Sequence, residues 1–84
     1  MGSLEKALSK LQAGKRLRFD EGILIADSFF GRGRKCGSHN VYSLPWKGDL
    51  LNLQADSENK VKKYQQKQLK VYVDKVQKGQ RNGS

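Results

Sequence analysis

Lys35-Cys-Gly-Ser-His-Asn-Val-Tyr-Ser-Leu-Pro45 is the stretch on which the reading of this chain turns. Val41 and Tyr42 fall on opposite faces of an extended segment, so a strand is predicted from His39 to Leu44. Ahead of it, Gly31-Arg-Gly-Arg34 leads into a strand that reaches about Cys36. Behind it, Pro45-Trp-Lys-Gly48 has turn chemistry, Pro presetting φ and Gly permitting a positive one. Leu50 to Gln54 then alternates Leu51 and Leu53 against Asn52 and Gln54, which makes a third strand. Short connections join the three, so they are expected to form an antiparallel meander.

Helical spacing flanks the meander on both sides. Leu4, Ala7, Leu8 and Leu11 recur at i, i+3, i+4 and i+7, which predicts a helix over Leu4 to Ala13, with Ser3 available as a cap and Gly14 as a stop. After a basic link, Lys15 to Arg18, Phe19, Ile23, Ala26 and Phe30 share one face of a second helix, with Asp20 as its N-cap. Residues 22–26 alone would also suit a short strand, but the four-residue spacing persists past Asp27 and Ser28. Downstream, Asp56-Ser-Glu-Asn59 reads as a polar turn. Gln65, Leu69, Tyr72, Val73 and Val76 then mark one face of a final helix, whose remaining surface carries Lys62, Lys63, Lys67, Lys70, Lys75 and Lys78. Gly79 is its expected end, and residues 80–84 are expected to fray. The predicted class is therefore α+β in a single domain, 1–84: a three-stranded antiparallel sheet with its helices on one face and the other face open to a ligand.

Composition narrows the partners. Seventeen Lys and Arg against eight Asp and Glu give a net charge of +9 over 84 residues, a field that draws polyanions. Nucleic acid or an acidic protein is the expected partner. A chain this short has no room for a deep substrate cavity, so a surface site is expected. Cys36 is the only cysteine, which excludes an internal disulfide and suits a cytoplasmic protein. The longest apolar run, Ile23 to Ala26, is far too short to span a membrane, and the N-terminus has no signal-peptide h-region.

His39 is the only side chain here whose ordinary pKa suits proton transfer near neutrality. One His and one Cys cannot supply the ligands of a zinc site. The glycines from Gly31 to Gly37 satisfy neither phosphate-loop pattern, and neither a second histidine nor a carboxylate pair accompanies His39. What survives is single-histidine acid–base chemistry in a basic setting, with no cofactor or metal expected. RNA suits it, because its 2′-hydroxyl is a built-in nucleophile and needs only a proton acceptor and charge stabilisation at phosphorus. Arg34, Lys35 and the first lysines of the last helix would provide the positive charge. Plainer readings compete throughout. A lone histidine at a strand start is commonly a surface or hydrogen-bonded residue, Cys36 suits a small buried or semi-buried side chain better than a thiolate–imidazole pair, and the lysines suit a solvated face. Lys63, Lys67 and Lys70 nonetheless align at i, i+4 and i+7, where they repel one another. Tyr42, Trp46 and Tyr64 suit either base stacking or packing.

Taken together, Gly37-Ser-His39 with the following Asn-Val-Tyr-Ser-Leu-Pro, then Leu50-Leu-Asn-Leu-Gln54, a polar turn, and Lys63-Tyr-Gln-Gln-Lys-Gln-Leu69 resemble the HicA toxins of bacterial toxin–antitoxin pairs. With Arg18-Phe19 opening the preceding helix, the likeness covers about residues 18 to 78. It implies a fold like a double-stranded RNA-binding domain, with an α-β-β-β-α core to which the first helix is an addition. It also implies metal-independent cleavage of mRNA and a HicB-type antitoxin that masks the active site. The family's catalytic histidine corresponds to His39, and the residues before it to Gly37 and Ser38. Two positions depart from the pattern: Asn40 stands where another histidine or an aromatic is frequent, and Lys63 where proline commonly precedes the Tyr-Gln pair.

The expectation is thus an endoribonuclease toxin, monomeric when free, with His39 as acid and base. Arg34, Lys35, Lys63 and Lys67 would contact phosphates, and Gly37 and Ser38 would shape the strand entry. The alternatives are an RNA-binding module without chemistry and a protein whose role is docking an acidic partner.

Overall fold

The computed structural model describes residues 2–37, 39–44, 46 and 50–83. Ser38 and most of the expected 45–48 turn lie outside the described residues. The elements run α1 (Ser3–Gln12), α2 (Phe19–Phe30), β1 (Arg34–Cys36), β2 (His39–Ser43), β3 (Leu50–Leu53) and α3 (Lys63–Gly83). The strands form an antiparallel meander in the order β1-β2-β3, as their short connections require.

Period-two alternation assigns the faces. Tyr42, Leu51 and Leu53 turn inward and are buried with Ile25 and Ala26 of α2 and Leu69 and Val73 of α3. Val41 and Asn52, cross-strand partners, lie on the other face and are half-buried. The helices therefore cover one face only. Gly33 sits where the chain enters the sheet, and a Cβ there would lie 2.8 Å from the Tyr42 ring, so only glycine lets the backbone cross that ring. The Tyr42 hydroxyl donates to Asp27 Oδ1 at 2.8 Å, tying β2 to α2. Burial, reinforced by that carboxylate, pushes the phenol far above its ordinary pKa.

α1 is packed into the core: Ala7 and Leu11 are fully buried between α2 and α3. Lys10 Nζ reaches both Glu21 oxygens, at 2.7 and 3.0 Å, and so links α1 to α2. Asp20 is not the N-cap of α2. The helix begins at Phe19 because Arg18 is held extended in a bridge with Lys60 and Phe19 N–H donates to Asn59 O. Glu21 accepts from the Arg18 N–H at 2.8 Å, in the manner of the reverse half of a capping box. At the N-terminus of α1, Gly2 is the cap and Ser3 already helical.

The link before α2 and the turn before α3 are laced together. Val61 N–H donates to Leu17 O, and Arg16 Nη2 donates to Val61 O and to Asp56 Oδ2, both at 2.8 Å. Asp56 Oδ1 in turn accepts from the backbone N–H groups of Glu58 and Lys60, closing the expected polar turn. Gln66 Oε1 and Nε2 bond the backbone of Leu17 and Lys15. These bonds hold the start of α3 against the link. At its other end α3 runs past Gly79 to Gly83 instead of stopping there. One glycine costs a helix only about 1 kcal/mol, and no proline follows to break it.

Candidate site on the open face of the sheet

Strand register decides which residues share His39's face. Arg34 pairs with Val41 and Val41 with Asn52, a row on the open face, and Cys36 pairs with His39 on that same face. Lys35 pairs with Asn40, and Asn40 with Leu53, so Lys35 belongs to the opposite face from His39. Its one-residue offset from Arg34 is the reason. Gly37, between Cys36 and His39, has φ of +62°, the left-handed conformation that lets the chain reverse here.

The imidazole is half-buried and bonded at both nitrogens. Nδ1 lies 3.0 Å from Asn52 Oδ1, and Nε2 lies 3.2 Å from Gln54 Nε2. The tautomer follows from a chain of bonds that starts in the core. Gln65, with no exposed surface, accepts the Gln54 backbone N–H on Oε1 at 2.6 Å. Its Nε2 therefore points the other way and donates to Gln54 Oε1 and to the Tyr64 hydroxyl, each at 3.2 Å. With Gln54 Oε1 engaged by Gln65, Gln54 Nε2 faces the ring and donates to it. His39 Nε2 is thus the lone-pair nitrogen, and Nδ1–H donates to Asn52. A proton arriving at Nε2 must displace the Gln54 amide, because two donors cannot share one bond.

The structure brings together only some of the sequence-predicted site residues. His39, Arg34 and Gly37 gather at the open face, and Ser38 lies outside the described residues. Lys63 and Lys67 are elsewhere: with Arg16 and Lys70 they line a groove of about 350 Å³ between α3 and the link after α1. They fall about half a helical turn or more from Gln65, the residue through which α3 reaches His39. Cys36, expected to be buried or semi-buried, is exposed, since β1 is the edge strand and all its residues face solvent. Tyr42 is core, so base stacking by its ring is ruled out. Trp46 stacks at a tilt on Tyr72, centroids 5.5 Å apart, with Lys75 Nζ 4.2 Å from its ring. Tyr64 stays 60 % exposed beside the amide chain. Among the described residues no three His, Cys, Asp or Glu side chains are grouped to hold a metal.

Asn52, Gln54 and Gln65 are the members that reasoning from sequence missed as partners of His39. Their signals were positional. Asn52 and Gln54 are the polar half of an alternating strand, and Gln65 is the one polar residue in the apolar stripe of α3. No known family matches this chain, and neither a curated protein nor a solved structure matches it.

Proposed function

We propose that this chain is a HicA-like toxin, a metal-independent endoribonuclease that cleaves mRNA in the cytoplasm and arrests growth. The observation that carries the proposal is the amide chain from Gln65 through Gln54, which presents the His39 Nε2 lone pair on an uncovered sheet face. The order α2-β1-β2-β3-α3 suits the double-stranded RNA-binding-domain-like core that the resemblance implies.

In this mechanism the substrate's 2′-hydroxyl takes the place of the Gln54 amide at Nε2. The ring, oriented by Asn52, removes the hydroxyl proton while the oxygen attacks phosphorus. The bond from phosphorus to the 5′-oxygen breaks, and the imidazolium returns the proton to that oxygen. The products are a 2′,3′-cyclic phosphate and a 5′-hydroxyl. Arg34, on the same face, offsets the charge that grows on phosphorus. A HicB-type antitoxin would act by covering this face.

Purified protein tests the chemistry. An RNA oligonucleotide is cut to a cyclic phosphate, its counterpart with a 2′-deoxyribose at the scissile nucleotide survives, and His39→Ala slows cleavage by about 10²–10⁴-fold with RNA affinity kept. Cleavage of the deoxy substrate, or an unchanged rate for a folded His39→Ala, would overturn the assignment. One observation favours a second reading: both imidazole nitrogens already have partners, as in a structural histidine. On that reading the chain is an RNA-binding module, or docks an acidic partner, and neither wild type nor variant cuts RNA.

A further inference from the structure

We propose that Gln54 is a second catalytic residue: displaced from His39 Nε2 by the incoming 2′-hydroxyl, its amide donates to a non-bridging oxygen of the scissile phosphate and offsets the charge that grows there. This rests on the cleavage reading above and adds to it the donor nearest the reacting atoms.

The bonds around Gln54 fix where the displaced amide goes. Its backbone N–H donates to Gln65 Oε1, its carbonyl accepts from the Lys62 N–H, and its Oε1 accepts from Gln65 Nε2 at 3.2 Å. The side chain is therefore anchored on the core side, and only its Nε2, 3.2 Å from the ring nitrogen, is free to yield. It turns about the anchored oxygen, so its N–H groups stay beside the place that the 2′-oxygen takes. That nitrogen carries two N–H groups, and among the described residues His39 Nε2 is their one acceptor. Once substrate has taken the lone pair, a half-buried amide is left without a partner, which is costly unless an oxygen of the substrate accepts from it.

Reaction chemistry selects which oxygen. The 2′-oxygen gives its proton to Nε2 and its electron pair to phosphorus, so it needs no donor as the bond forms. The non-bridging oxygens, one bond beyond it on phosphorus, gain charge instead, and a donor aimed there binds the transition state more tightly than the substrate. Arg34 is not so close. It stands two positions along β1 from Cys36, the cross-strand partner of His39, about 7 Å away by strand rise, and acts through its charge. The bond that occupies Nε2 is thus no obstacle to catalysis: it is exchanged for one to the phosphoryl oxygen.

The experiment follows cleavage of an RNA oligonucleotide with an ordinary scissile phosphate, and of its two phosphorothioate diastereomers, by wild type, Gln54→Met and Gln54→Ala. Both variants lose the amide N–H groups and keep the backbone bond to Gln65, and two are used so that the result does not depend on how methionine packs. On the ordinary phosphate, kcat should fall about 10²-fold with KM unchanged. Sulfur in place of the oxygen that Gln54 contacts should slow wild type but not the variants, and the other diastereomer should show one sulfur-to-oxygen rate ratio in all three. Equal ratios for both diastereomers in all three proteins overturn the proposal, as does faster cleavage by the variants, which would make Gln54 only a cap on the ring. Nitrogen-15 NMR of the imidazole supplies a further check: Asn52 should keep the proton on Nδ1 in both variants. A proton on Nε2 in both overturns the proposal too, because Gln54 then acts only by holding the tautomer. Each of these results leaves the cleavage reading standing. If wild type leaves ordinary RNA whole, that reading fails and takes this proposal with it.

Discussion

The open face of the sheet and the groove beside α3 treat polar groups in opposite ways. Around His39 the partners are the neutral amides of Asn52 and Gln54, and Gln54 is hydrogen-bonded in turn to the fully buried Gln65. Beside α3 the groups are cations, two of them without a counter-charge among the described residues. The first arrangement fixes geometry with little charge, and the second gathers charge with little fixed geometry. Proton transfer needs the former, whereas attraction of a polyanion needs the latter. On the proposed reading, one small domain would separate holding RNA from reacting with it.

Gln65→Leu is the strongest way to break one side alone. It leaves the Gln54 N–H and Gln54 Oε1 without their partner, at a cost of about 1–3 kcal/mol, and frees the Gln54 amide to turn its Oε1 to the ring, which would put a proton on Nε2 in place of the lone pair that the base needs. In a domain of this size that is a fall in unfolding midpoint of at least about 4 °C. Cleavage should fall with it, while the salt slope of RNA binding stays at the wild-type value. A slope that changes together with the cleavage rate would show that the two regions are one site.

Acid sharpens the comparison from the other side, with a smaller effect. Backbone N–H groups of Lys60 and Glu58, together with Arg16, hold the Asp56 carboxyl below its ordinary value. Asp74 is lowered by the hydrogen bonds from Lys70 and Gln12. At Glu21, burial alone would raise the pKa, but Lys10 and the Arg18 backbone together outweigh it and lower it. A carboxylate whose folded pKa is depressed contributes stability above its unfolded value, and that stability drains as pH falls through the folded value. The unfolding midpoint should thus be level above about pH 5 and decline below it. A midpoint that rises on acidification would contradict these three assignments.

How far the sequence could be read follows the range of the forces involved. The meander, the inward Leu51 and Leu53, and the helical faces all come from local periodicity, and they stand. The first turn of α2 was misjudged because its start depends on Lys60 and Asn59, some forty residues away, and not on a local cap at Asp20. The far end of α3 was cut short at Gly79 because a glycine's cost was weighed above the lack of any stronger breaker. In the candidate site, His39 was legible by chemistry and Arg34 by proximity. Lys35 was placed with them by proximity as well, but strand alternation sends it to the other face. Lys63 and Lys67 were grouped with His39 by charge alone, and the helical phase of α3 turns them toward α1. The amides of Asn52 and Gln54 lie thirteen and fifteen residues from His39 and are brought close only by the β2–β3 pairing, which no local pattern reveals.

Induced expression in a bacterial host, with growth and total mRNA followed for wild type and His39→Ala side by side, tests the central claim most directly. Growth arrest with loss of mRNA from wild type alone is the predicted result. Arrest and mRNA loss from both, or from neither while both are folded and soluble, would contradict it.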